Sequence, residues 1–188
     1  MKHNKKKYKE IIQISLVIIL FIGVFTMTTI LKMKQDECKY EFATILMETN
    51  KGNITIELNL KEAPMTSKNF IKLTENKFYD NLKFHRYVPN FVIQGGDPKG
   101  DGTGGSGENL DLEISNLSHE KGVIAMARTS EPNSASSQFY FTLEKTPHLD
   151  GDYAVFGKVN EGMDVVMKLR EGDIMKKVTL INYICEEK

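Results

Sequence analysis

The stretch VIQGGDPKGDGTGGSGE, residues 92–108, holds seven of the fourteen glycines in the chain. It contains G-x-G-x-x-G twice, as Gly100, Gly102 and Gly105 and as Gly102, Gly104 and Gly107. Glycines at that spacing could cradle a phosphate, because they let backbone amides approach an anion at a helix N-terminus. That chemistry needs the glycines directly after a strand and opening a helix. The residues after Gly107, ENLDLEISNLSHEKG, carry no helical apolar stripe, and no Lys followed by Ser or Thr stands in phosphate-loop order. Both matches follow from glycine density alone, so nucleotide binding through this run is not expected.

Other reactive side chains are sparse. The four histidines, His3, His85, His119 and His148, show no close ligand spacing, and there is no Cys-x-x-Cys. Neither a metal nor a cofactor is expected. Cys38 and Cys185 are too few for a disulfide framework. Taken alone, Arg86 in FHRYV reads as a surface charge, and the aromatic residues read as core.

The elements that must position these residues begin after an appendage. The chain of 188 residues fits one domain of ordinary size plus an N-terminal segment. Residues 11–31, IIQISLVIILFIGVFTMTTIL, run for 21 positions without a charge, enough to cross a hydrocarbon core of roughly 30 Å as a helix. Residues 1–10, with Lys2, Lys5, Lys6, Lys7 and Lys9, form a basic flank expected to stay cytoplasmic. The apolar run exceeds a signal h-region, and no small-x-small cleavage site follows it. A membrane anchor with the domain outside is therefore expected. Secretion after signal cleavage is the alternative. Residues 32–40, KMKQDECKY, read as a linker to a domain over 41–188.

That domain is mildly acidic. Beyond residue 37 stand 18 Lys and Arg against 22 Asp and Glu, which gives no footprint for nucleic acid. In NITIELNL, Ile54, Ile56, Leu58 and Leu60 alternate with polar residues, the mark of a strand with one buried face. With EFATILME before the turn TNKG it predicts a hairpin. APMTSKNFIKLTENKF switches to helical period, with Pro64 in the first turn and Phe70 and Leu73 on one face. Short apolar runs follow (LKFHRYV, FVIQGG, GVIAMA, QFYFTL, AVFGKV), then a second amphipathic helix in GMDVVMKLR and a last strand in KVTLINYIC. The reading is mainly β, with about eight short strands in a closed antiparallel barrel that leaves no edge, capped by two helices. The transmembrane or signal helix precedes it.

The motifs FHRYVPNFVIQGGD, GTGGSG, IAMAR, SSQFYF, LDG and VFGKVNEGMDVV follow in that order. This pattern resembles the cyclophilins, peptidyl-prolyl cis-trans isomerases, over nearly all of residues 42–185. The resemblance implies an eight-stranded barrel with two capping helices, and a glycine stretch that is a surface loop beside the substrate groove. It implies that Arg86 is the catalytic arginine, acting with Phe91 and Gln94. Val92, where methionine is usual, Tyr140, where phenylalanine is usual, and Leu149 match proline-pocket positions. Ala127, Arg128 and Gln138 match groove positions that hold the peptide backbone. In QFYFT, period two sends Gln138 and Tyr140 to one face and Phe139 and Phe141 to the core.

Two positions depart from the family pattern. Tyr153 stands where many members have histidine, and a flat ring with a polar tip should preserve the pocket. His148 stands where the best-known members have a rim tryptophan whose indole N–H bonds cyclosporin, so the resemblance implies reduced affinity for that type of inhibitor. The expected partners are proline-containing peptides and unfolded exported proteins, whose folding an isomerase outside the membrane would assist. The alternative is a proline-peptide binding module or holdase with incidental catalysis. In the family barrel the first and last strands are neighbours, and an oxidising compartment would permit a Cys38–Cys185 bond.

Overall fold

Alternation builds the first hairpin. In the computed structural model, which describes residues 40–185, β1 (Tyr40–Thr49) pairs antiparallel with β2 (Gly52–Asn59), Ile45 opposite Ile56 and Met47 opposite Ile54. Ile54, Ile56 and Leu58 are fully buried, as their period predicts. The turn closes where Thr49 Oγ1 accepts the Lys51 N–H at 3.0 Å and donates to the Gly52 carbonyl at 2.7 Å. β1 takes in Tyr40, the last residue assigned to the linker.

Helix α1 (Pro64–Glu75) opens with the proline whose missing N–H costs nothing there. Ala63 cannot cap it, and the orphan amides of Met65 and Thr66 instead donate to the Glu113 carboxylate at 2.9 and 2.7 Å. The buried face is wider than the Phe70–Leu73 pair, because Ile71 is buried with them. Phe70 packs against the rings of Tyr79, Phe139 and Phe156 at centroid distances of 4.6, 5.4 and 5.4 Å.

The remaining strands are β3 (Arg86–Val88), β4 (Val92–Gly95), β5 (Val123–Met126), β6 (Phe139–Thr142), β7 (Val155–Glu161) and β8 (Met175–Cys185). All eight join one antiparallel sheet in the order β3-β4-β6-β5-β7-β2-β1-β8. The fully closed barrel is corrected in one respect, because the edge strands β3 and β8 do not pair. Irregular backbone spans the gap. Lys83 and Ile174 form an isolated bridge, Asn81 N–H donates to Met175 O at 2.7 Å, and Phe84 N–H donates to Asp173 O at 2.8 Å. Asn81 sits in the left-handed region (φ 64°), outside the extended conformation that a ladder needs.

The second helix is also shorter than its sequence pattern. α2 covers Met163–Val166 only, and the chain continues in i to i+3 turns, with Lys168 N–H on Val165 O and Leu169 N–H on Val166 O. Among the described residues no helix is long and apolar enough to cross a membrane. Residues 11–31 and Cys38 lie outside the described residues. Cys185, at the end of β8, pairs in register with Tyr40.

Period two divides the apolar residues between two clusters. Ile93, Ile124, Met126, Phe139 and Phe141 belong to the main core with the β1–β2 hairpin and α1. Val92, Val123, Ala125, Tyr140 and Val155, from the same or neighbouring strands, form a second cluster on the other face. Phe91, Ala127, Leu149 and Tyr153 pack against that second cluster.

Candidate active site

The β3–β4 hairpin sets out the first site residues. Arg86 lies opposite Gln94 and Val88 opposite Val92, and the Phe91 N–H donates to Val88 O at 3.1 Å across the turn. Arg86, at the start of an edge strand, is exposed, and its guanidinium donates from Nη1 to Gln94 Oε1 at 3.2 Å. Its guanidinium carbon also lies 6.0 Å from the centroid of the Phe91 ring. Gln94 in turn donates from Nε2 to Gln138 Oε1 at 2.8 Å.

Beside this polar line is a cavity of about 280 Å³. Val92 and Tyr140, 2% and 5% exposed, form its apolar depth with Phe91 and Leu149, and Tyr153 stands edge-on to Tyr140 at 6.0 Å. Arg86, Gln94, Ala127 and Arg128 complete the wall. Burial pushes the Tyr140 phenol up, further from ionisation. Arg128 is held by the Asp152 carbonyl at 2.9 Å and lies over the Tyr153 ring at 4.8 Å. Nine of the sequence-predicted residues therefore meet around one cavity.

The other two lie next to it. Gln138 lines a neighbouring cavity of about 530 Å³, which shares Gln94, Ala127 and Arg128 with the first. His148 is exposed and does not line the smaller cavity; its ring stacks on Phe91 at 5.6 Å and 17°.

The glycine run now has a physical account. Asp97, 1% exposed, turns its carboxylate inward, where Oδ1 accepts the Lys99 N–H at 2.8 Å and Oδ2 accepts those of Asp101 and Gly102 at 3.0 and 2.6 Å. Burial alone would raise this carboxyl, but the backbone donors outweigh it and hold the group below its ordinary value. The loop does cradle an anion, and the anion is its own side chain. Gly104 must be glycine, since a Cβ there would collide with Asp97 Oδ1. Gly102 lies in the left-handed region at φ 90°. The Gly102 and Gly104 carbonyls accept from Gln138 Nε2 at 3.0 and 2.8 Å. Loop, Gln138, Gln94 and Arg86 thus form one hydrogen-bonded series.

Sequence reasoning missed two residues behind the cavity. His119, 1% exposed, places Nε2 2.9 Å from Tyr140 Oη and Nδ1 2.7 Å from Asp150 Oδ1. The setting of His119 in LSHEKG carries no local signal, although Asp150 lies inside the LDG motif.

The sequence model described as cyclophilin type peptidyl-prolyl cis-trans isomerase/CLD matches residues 44–184. A peptidyl-prolyl cis-trans isomerase of Helicobacter pylori is 42% identical over 152 residues, covering 78% of this chain and 91% of that protein. One from Synechococcus elongatus is 41% identical over 138 residues, covering 72% and 94%. The crystal structure of a cyclophilin type peptidyl-prolyl cis-trans isomerase of Cryptosporidium parvum superposes with a TM-score of 0.71 at 32% identity, covering 75% of this chain and 98% of that one. The same protein determined in the presence of the dipeptide Ala-Pro gives 0.69 at 33% identity, covering 74% and 99%. The chain belongs to the cyclophilin-type peptidyl-prolyl cis-trans isomerases.

Proposed function

We propose that the cavity of about 280 Å³ receives the proline ring of an X-Pro peptide and that Arg86 drives rotation of the imide bond. The barrier to that rotation is about 18–20 kcal/mol, because the C–N bond has partial double-bond character. No bond is made or broken, so the site must bind the twisted imide better than either planar form. In the twisted state the nitrogen lone pair withdraws from the carbonyl and becomes an acceptor. Arg86, a permanent donor with a planar fork, stands at the mouth of an apolar pocket and meets that need. Phe91, Val92, Tyr140 and Leu149 grip the ring, while Gln94, Ala127, Arg128 and Gln138 hold the flanking backbone.

The observation that carries this reading is the alignment of Arg86, Gln94 and Gln138 by two hydrogen bonds along the rim of that pocket. Such bracing keeps the guanidinium oriented before substrate arrives. An NMR exchange assay on an X-Pro peptide tests it: the full-length chain accelerates exchange, and Arg86→Ala does not.

The cellular setting follows from residues 1–31. An uncharged run of 21 residues behind a lysine-rich flank supports a single-pass anchor with the isomerase domain outside, acting on exported proteins as they refold. Protease added to intact cells then removes the domain and spares the N-terminus. A soluble form beginning after residue 31 would instead identify a cleaved signal.

A further inference from the structure

His119 lies behind the cavity, its side chain fully buried and both ring nitrogens engaged. The direction of the Nδ1 hydrogen bond follows from Asp150. Asp150 Oδ1 accepts the backbone N–H of His119 at 2.7 Å as well as facing Nδ1. These donors, backbone first and ring second, hold the Asp150 carboxyl below its ordinary value. An ionised carboxylate only accepts, so Nδ1 carries a proton directed at Asp150. Nε2 and Tyr140 Oη, 2.9 Å apart, share the second hydrogen bond of the ring.

Both ends of this series reach the pocket. Tyr140 lies on β6, and Asp150 directly follows the short 3-10 turn Pro147–Leu149 that brings Leu149 to the cavity. The base of that turn is also tied to His119, whose backbone carbonyl accepts the Thr146 N–H at 2.8 Å. His119 thus holds the turn by both backbone and side chain while holding Tyr140 by its hydroxyl.

We propose that His119 is a positioning residue for the isomerase, setting the spacing between two walls of the cavity, Tyr140 and Leu149. It does not line the cavity and acts through its neighbours. The proposal rests on the reading of that cavity as the proline site. An apolar grip on the ring is felt in planar and twisted states alike, so loosening it raises KM more than it lowers kcat.

The test assays the full-length chain on an X-Pro peptide as wild type, Tyr140→Phe, His119→Asn and the double variant. Tyr140→Phe deletes a single hydroxyl. Asparagine at 119 is too short to meet Tyr140. Each single change raises KM by about three- to tenfold, the effect of one lost hydrogen bond, with kcat moving less. The double variant is no worse than the worse single one, because both break the same link. An unmoved KM with a lowered Tm, or effects that multiply in the double variant, overturns the proposal. If His119→Asn does not fold, the KM of Tyr140→Phe decides alone. Arg86→Ala assayed alongside separates this from the site assignment: full turnover there removes the site, whereas lost turnover with an unmoved KM in Tyr140→Phe removes only the role of His119.

Discussion

Arg86 and Gln94 stand opposite each other across the β3–β4 hairpin, and the guanidinium donates to the amide oxygen at 3.2 Å. A long side chain at the exposed start of an edge strand would otherwise sample several rotamers. Gln94 is itself bonded to Gln138 at 2.8 Å, so the orientation of Arg86 is inherited from a part-buried amide pair.

Arg86→Ala is expected to lower kcat/KM on the order of 10²-fold or more, the usual effect of losing a donor aimed at the transition state. Because Arg86 is exposed, stability should move by no more than about 0.5 kcal/mol. Arg86→Lys should not restore turnover, since a point charge lacks the planar fork. Exchange rates and thermal melts on the same samples check both halves.

Gln138→Leu should cost about tenfold in kcat/KM, close to the effect of losing its one hydrogen bond to Gln94. The change frees Gln94 from its partner and leaves the Gly102 and Gly104 carbonyls without the amide that joins them to the site. Gln94→Leu combined with Gln138→Leu should be less than additive. A double-mutant cycle in the exchange assay measures that coupling.

Asp97→Asn should destabilise the domain by about 1–3 kcal/mol at pH 7, because an amide turns an N–H₂ group toward backbone donors. The pH dependence has a fixed sign. A carboxyl whose native pKa is depressed stabilises fully above its unfolded value, about 3.9, and loses that contribution as pH falls through the lower native value. Wild type should therefore lose more stability than Asp97→Asn between about pH 5 and pH 2. Denaturant titrations across that range report the difference.

His148→Trp should tighten cyclosporin binding by about tenfold to a hundredfold, from one added hydrogen bond and a broader apolar face. His148 is exposed and stacks on the outer side of Phe91, outside the cavity lining, so catalysis should change far less than inhibition. Titration of the inhibitor against both proteins decides it.

What could be read in advance had local causes. Strict alternation in NITIELNL buries Ile54, Ile56 and Leu58, and period two in QFYFT separates Tyr140 from Phe139 and Phe141, because strand geometry imposes both. The resemblance brought nine of the eleven named residues to one cavity. The misses were long-range. The GMDVVMKLR pattern is apolar at helical spacing, yet the chain leaves the helix after Val166 to reach the Asp173 carboxylate, which accepts the Arg170 N–H at 2.7 Å. His119 finds its partners 21 and 31 residues away, at Tyr140 and Asp150, and no pattern within LSHEKG announces either. The context of the glycine run already argues against a phosphate site but does not reveal the inward carboxylate, and only the fold shows Asp97 held by the loop's own amides.

The division of each central strand between two faces has an evolutionary corollary. On β6, Phe139 and Phe141 knit the main core while Tyr140, between them, faces the cavity. A mutation at a position such as 92 or 140 therefore alters the wall of the cavity without entering the aromatic stack around Phe70. Effects at sites that share no partners combine nearly independently. The wall of the cavity in this architecture can therefore change one residue at a time while the aromatic scaffold beneath keeps its packing.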